Sequence, residues 1–187
     1  DQELCPRYMA RGVRNVKIEP SPKWMQERLW AAGMRPISNI VDITNYVMLE
    51  TGQPMHAFDM RDVTSRQIVV RRAQEKEKLV TLDKKEHELN SSMLVIADEA
   101  RAVGLAGIMG GLNSEIKPDT SEILFESAKF KRDSVRRTAR ALGIRTEASS
   151  RYEKGIDIDN VEYAVNRAID LVKELNAGEV IEGAIDI

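Results

Sequence analysis

A single α+β domain, with a mixed or antiparallel sheet and several helices packed on it, is the fold class this sequence predicts for residues 1–187. Three observations carry that expectation. Apolar residues recur with a helical period towards both ends of the chain. The middle is cut into short β-type runs by polar turns, and no low-complexity linker or internal repeat divides the chain. With 42% hydrophobic and 31% charged residues, the composition is that of an ordinary globular chain, long enough to bury a real core.

Taken in order, Tyr8 to Ile18 mixes basic residues with short apolar steps, and part of it reads as a strand. In "EPSPKWMQERLWAAGMRP", Ser21 is placed to cap a helix and Pro22 suits its first turn. Met25, Leu29 and Ala32 share a face, and Gly33 ends the helix before Pro36. "SNIVDITNYVMLETG" is rich in β-branched residues, as a strand would be. Asn39, Asp42 and Asn45 nevertheless recur every third residue and leave Ile40, Ile43 and Val47 for another side, which favours a helix. "QIVVRRA", "KLVTLD", "HELN", "MLVIADE" and "AVGLAGIMGG" then suggest hairpins, and "SEILFESAKF" a further strand. From Lys131 the period returns to 3.6, and "KRDSVRRTARALG" is a helix stopped by Gly143. A last helix runs from about Asp159 to Asn176 with Val161, Ala164, Val165, Ala168, Ile169, Val172 and Leu175 as its apolar stripe, and "EVIEGAIDI" closes the chain as a strand.

The formal charge of −2 excludes a globally basic, histone-like binder but not a local basic face. Cys5 is the only cysteine, so no internal disulfide can form and a cysteine-based metal site is excluded. A reducing compartment follows, and the cytoplasm is the expected location. No apolar run approaches the ~20 residues that span a bilayer, so no membrane partner is expected. The chain begins Asp1-Gln2-Glu3, which suggests a fragment of a longer protein.

Several stretches could carry chemistry. In "GLAGIMGG", Gly104, Gly107, Gly110 and Gly111 lack the offsets of a dinucleotide fingerprint, and no Lys-Ser or Lys-Thr follows to make a P-loop. A tightly packed glycine strand and a floor where a ligand meets bare backbone both fit. "AKFKRDSVRRTARALGIR" concentrates Lys129, Lys131, Arg132, Arg136, Arg137, Arg140 and Arg145 against one acid, Asp133. A charge run is usually a solvated face, yet this density in an acidic chain also suits phosphates, with RNA as a candidate partner.

In "ILFESA", strict alternation puts Leu124, Glu126 and Ala128 on one face. Such a glutamate usually lies at an edge; if buried, it needs a hydrogen-bond donor, and a ligand hydroxyl would serve. His87 in "DKKEHELN" is expected to face solvent. His56 in "GQPMHAFD" has no second histidine at metal-ligand spacing and no nucleophile-elbow partner, so no metal site is expected. It is either a loop histidine bonded to backbone or a lone group acting on a water or a substrate oxygen.

Four stretches in this order, "SPKWMQERLWAAGMRPISNIVDITNYVMLETGQPMHAFD", "AGIMGG", "ILFESAKF" and "RTEASSRYEKGID", resemble the beta subunit of bacterial phenylalanyl-tRNA synthetases. The resemblance runs from Cys5 to the last helix, and long motifs in fixed order are far more specific than any single pattern above. The part matched is similar to the editing module, residues 1–187 here, which hydrolyses tyrosine mistakenly attached to the phenylalanine tRNA.

The resemblance implies roles for particular residues. Glu126 matches the glutamate that bonds the tyrosine phenol, and His56 the active-site histidine, with Pro54 beside it. Thr44 and Asn45 match polar residues near the ester and water, and with His56 they are the expected catalytic set. Gly110 matches a glycine at the pocket floor; Thr146 and Ala148 match residues lining the aromatic end. Expected partners are the acceptor end of tRNA(Phe), the tyrosine moiety, the alpha subunit and the other beta domains, with Arg136, Arg137 and Arg140 as RNA contacts. No cofactor is implied for this domain, since ATP and magnesium serve the parent enzyme's synthetic site. The expected reaction is attack on the ester by a positioned water. The competing expectation is a non-catalytic RNA- or amino-acid-binding module of the same fold.

Overall fold

The alternation in "EILFESAK" builds the strand on which the molecule is centred. In the computed structural model, which describes residues 1–187, β9 spans Glu122–Lys129. On one side it pairs antiparallel along its whole length with β1 (Arg7–Arg14), and on the other with β2 (Met55–Asp59). Two short C-terminal strands, β10 (Glu179–Val180) and β11 (Ile185–Asp186), both add to β1. The C-terminal stretch is therefore two strands rather than one. They are interrupted around Gly183, whose φ of 89° lies in the left-handed region that turns favour.

Alternation on this sheet feeds two separate cores. Met9, Val13, Ala57, Ile123 and Phe125 point to one side. There they meet α1 (Lys23–Ala31), α2 (Asn39–Thr51) and α5 (Asn160–Glu174), which contribute Met25 and Leu29, Ile40, Ile43 and Val47, and Val161, Val165, Ile169 and Val172. Tyr8, Ala10, Phe58 and Ala128 point to the other side. A second antiparallel sheet covers them, ordered β3 (Val69–Arg72), β6 (Leu94–Ala97), β7 (Ala102–Leu105) and β8 (Met109–Gly110). The hairpin of β4 (Lys78–Val80) and β5 (Glu86–Glu88), helix α3 (Arg132–Leu142) and helix α4 (Glu147–Tyr152) complete that layer. All strand pairs are antiparallel, so the α+β expectation holds with an antiparallel rather than mixed sheet.

The helical reading of residues 39–51 is correct, and its polar stripe has a structural use. Asp42 is fully buried, accepting from the Ser21 hydroxyl and the Ile37 N–H, while the Asn39 amide donates to the Lys17 carbonyl. This also corrects the role of Ser21. It does not cap α1, whose cap position is Pro22 with no side-chain bond; instead it ties the chain before α1 to α2. His87 is half-buried on β5, opposite Leu79, rather than solvent-facing. Lys131 pairs with Glu3, so Asp133 is not the only acid serving the basic run.

Candidate functional site

Strand β2 was not legible as a strand, and its presence changes how His56 is read. The histidine is no loop residue. It sits directly opposite Glu126 across the β2–β9 ladder, where facing side chains have their Cβ atoms about 5 Å apart. Both lie on the sheet face that carries Phe58 and Leu124, below the β7–β8 hairpin. Between the two layers is a cleft of about 240 Å³. That is slightly below the roughly 300–1,000 Å³ of drug-sized ligand pockets and suits a single amino-acid side chain.

Glu126 is 7% exposed, and the Tyr8 hydroxyl donates to its Oε2 at 2.8 Å. No cation pairs with it. Burial pushes its carboxyl up to about 7, with the Tyr8 hydrogen bond acting in the opposite direction. Its second oxygen has no partner within the protein. His56 is partly covered, but its Nε2 is buried and makes no hydrogen bond. Desolvation pushes it down to about 4, so the imidazole is neutral at neutral pH. Its ring meets the Phe58 ring edge-on, 4.5 Å between centroids, and its other neighbour is the bare backbone of Gly110.

The turn before β2 is fixed by buried polar bonds. The Gln53 amide donates to the Ala128 carbonyl at 2.9 Å and the Pro54 carbonyl at 3.1 Å, and lies 3.3 Å from the Tyr152 hydroxyl. That hydroxyl itself donates to Ala128 at 2.9 Å. Gln53 thus fastens the start of β2 to the end of β9 and to α4, which sets where His56 stands.

Helix α4 forms the far wall. Thr146 caps it: its hydroxyl accepts from the Ser149 N–H at 3.0 Å and donates to the Ile108 carbonyl at 2.9 Å, while the Ser149 hydroxyl accepts from the Thr146 N–H. With its one proton given to Ile108, Thr146 joins α4 to the β7–β8 hairpin and has no side-chain donor left for a ligand.

The cleft lining includes Asn45, Pro54, His56, Gly110, Glu126, Thr146 and Ala148. Thr44 is not among the lining residues. It is buried in α2 and its hydroxyl donates to the Val41 carbonyl one turn back at 2.7 Å, so of the two α2 residues only Asn45 reaches the cleft. Reading the sequence missed Tyr8, Gln53 and Tyr152. The one available signal was that "RYMARGVR" places Tyr8 and Ala10 on a single face, where a buried phenol needs a partner. Arg136, Arg137 and Arg140 lie exposed on α3 and take part in no ion pair. No group of three or more His, Cys, Asp or Glu side chains is gathered to hold a metal ion, and no helix is long and apolar enough to cross a membrane.

Residues 4–177 match the family model of the B3/4 domain. A protein of Clostridium acetobutylicum named Phenylalanine--tRNA ligase beta subunit is 58% identical over 185 residues, covering 99% of this chain and 23% of that protein. One of the same name from Syntrophus aciditrophicus is 54% identical over 186 residues, again 23% of its length. The chain therefore spans less than a quarter of these curated relatives. Among solved structures, an N-terminal fragment of the phenylalanyl-tRNA synthetase beta-subunit from Pyrococcus horikoshii superposes with a TM-score of 0.62 at 12% identity, over 99% of this chain and 51% of that one. At that identity the likeness concerns the fold alone.

Proposed function

The chain belongs to the B3/4 domain family, and from that premise we propose that it is the editing module of a phenylalanine–tRNA ligase beta subunit, hydrolysing the ester of tyrosyl-tRNA(Phe). The observation that carries this reading is the cross-strand pair of His56 and Glu126 at one cleft, with the carboxyl buried and half-satisfied. The relatives' shared name supports it.

The chemistry follows from what a synthetic site cannot do. A pocket built for phenylalanine rejects an analogue with an added hydroxyl by only roughly a hundredfold. A second site must then recognise that hydroxyl. With Oε2 engaged by Tyr8, Glu126 keeps one oxygen to accept from the tyrosine phenol. Phenylalanine offers no donor and would leave that oxygen desolvated and unpaired. Binding is thus selective for the wrong amino acid, which is what editing requires.

Hydrolysis needs a water positioned at the ester carbonyl, with the ribose oxygen of the terminal adenosine leaving. A base works best when its pKa is close to the working pH, and His56 at about 4 is far from it. The neutral imidazole therefore contributes by hydrogen bonding, orienting the water or the terminal ribose together with Asn45, while substrate hydroxyls carry part of the proton transfer. Thr44 acts at most by supporting Asn45 within α2. Arg136, Arg137 and Arg140 form the RNA-facing surface, and the alpha subunit and remaining beta domains deliver the acceptor end. ATP and magnesium belong to the ligase's synthetic site.

Deacylation of tyrosyl-tRNA(Phe) by the complete ligase tests this reading. His56→Ala is expected to slow the reaction while the tyrosyl ester is still hydrolysed in preference to the phenylalanyl ester. Unchanged deacylation in both His56→Ala and Glu126→Ala enzymes would leave the cleft a binding module without catalysis.

A further inference from the structure

Tyr8 reaches Glu126 along the diagonal of one sheet face. The β1–β9 register sets Tyr8 opposite Ala128 and Ala10 opposite Glu126, which brings the phenol over the carboxyl one step away. The ring is 7% exposed and packed in the core on that side of the sheet, so its hydroxyl has little freedom to leave. A carboxyl that receives a hydrogen bond on Oε2 is oriented, and the oxygen left over is Oε1. Resting on the proposed editing reading, we infer that Tyr8 is the positioning residue of the specificity carboxylate: its hydrogen bond holds Glu126 so that the free oxygen accepts from the substrate phenol.

The surroundings leave this role to Tyr8 alone. The titratable groups packed around Glu126 are Cys5 before β1, Tyr8 on β1, His56 on β2 and Tyr152 on α4; Glu147 on α4 also lines the cleft and is paired with Arg151. Burial raises the Cys5 thiol to about 12 and both phenols well above their usual value, and it lowers His56 to about 4. Cys5, Tyr8, His56 and Tyr152 are thus all neutral near pH 7. Glu126 has no cation to keep it ionised, and its hydrogen bond from the protein comes from Tyr8.

The sign of the pH dependence follows. A second donor, the substrate phenol, favours the ionised carboxylate over the acid. The tyrosine preference is therefore complete above the Glu126 midpoint near 7 and is lost as pH falls through it. Removing the Tyr8 hydroxyl removes the bond that lowers that midpoint, so the window of selectivity moves to higher pH.

The test measures the preference for tyrosine as the ratio of tyrosyl-tRNA(Phe) to phenylalanyl-tRNA(Phe) deacylation by the full-length ligase, a readout the synthetic site does not enter, from about pH 6 to about pH 9, a range that brackets a shifted carboxyl. Tyr8→Phe, Glu126→Gln and the double variant are compared with the parent. Tyr8→Phe is expected to reduce the tyrosine preference at neutral pH about three- to tenfold, the scale of one hydrogen bond. It should also move the pH midpoint of that preference up by about one unit, with phenylalanyl-tRNA(Phe) deacylation unchanged. In the Glu126→Gln background Tyr8→Phe should add no loss, because Tyr8 acts through the carboxylate. If Glu126→Gln abolishes the preference while Tyr8→Phe leaves both its size and its midpoint at parental values, the positioning role is wrong and the editing reading stands. If the parent itself shows no preference for tyrosine, the editing reading fails and the role of Tyr8 with it.

Discussion

Replacing Gly110 by alanine puts a single β-carbon against His56, and the structure sets the size of the effect. The Gly110 backbone is not left-handed, so the substitution adds no backbone strain. What it lacks is room. An ideal Cβ would lie 2.4 Å from His56 Cε1, 2.8 Å from Nε2 and 3.3 Å from Nδ1. Carbon–carbon contacts settle at about 3.5–4.0 Å, so the imidazole must withdraw by about 1.1–1.6 Å. A displacement of about 1 Å at a catalytic group costs roughly a hundredfold in rate. Gly110→Ala is thus expected to slow deacylation of tyrosyl-tRNA(Phe) about a hundredfold, with Glu126 still selecting tyrosine. The assay is single-turnover deacylation by Gly110→Ala, His56→Ala and the double variant. Once the imidazole is gone, the β-carbon has nothing to displace, so Gly110→Ala should add no further loss to His56→Ala. A parental rate in Gly110→Ala, or an equal loss in both backgrounds, would refute the steric route through His56.

Other outcomes follow from the same geometry. Glu126→Ala is expected to reduce the preference for tyrosine over phenylalanine by about one to two orders of magnitude, the worth of a charge-assisted hydrogen bond, as read from deacylation of tyrosyl- and phenylalanyl-tRNA(Phe). The same change leaves the buried Tyr8 hydroxyl without an acceptor, so it should also destabilise the fold by about 1–3 kcal/mol in denaturant titrations. Alanine at Arg136, Arg137 and Arg140 together should weaken tRNA binding and flatten its salt dependence without altering amino-acid preference; equal binding across a salt series would assign that face elsewhere. Thr146→Ala removes a helix cap and the tie to Ile108, and is expected to cost about 1 kcal/mol of stability and to loosen the cleft wall, seen as faster amide exchange in α4.

What was legible in the sequence is what local periodicity encodes. Helices α3 and α5 and strand β9 carry a full stripe or a clean alternation within themselves, and all three were found. Strand β2 was missed because its five residues follow Gly52-Gln53-Pro54, which reads as a turn. Helix α4 was missed because six residues complete fewer than two turns, too few to show a period; the Thr146–Ser149 capping box was its only signature. The site divides the same way. Alternation alone placed Glu126 on the face of Leu124 and Ala128. Its pairing with His56 depends on the β2–β9 register, set by contacts between positions seventy residues apart, and no local pattern contains that. Tyr8 and Gln53 were overlooked because a buried polar side chain resembles ordinary core until its partner is known.

The absence of a cation at Glu126 fits the way this carboxyl is asked to work. An arginine or lysine at hydrogen-bonding distance would ionise it fully, but would occupy the oxygen that a substrate must use and would tolerate phenylalanine by keeping the charge paired. A phenol donor does neither. Tyr8 engages one oxygen and leaves the other free of any protein partner, while burial holds the carboxyl near 7. Under the proposed editing reading, a ligand that closes the cleft without a hydroxyl strips that oxygen of water and leaves it unpaired, and this penalty would be the discrimination. Neutral neighbours preserve it: His56, Tyr152 and Cys5 all stay uncharged near pH 7, so none supplies a counter-charge that would satisfy Glu126 in the ligand's place.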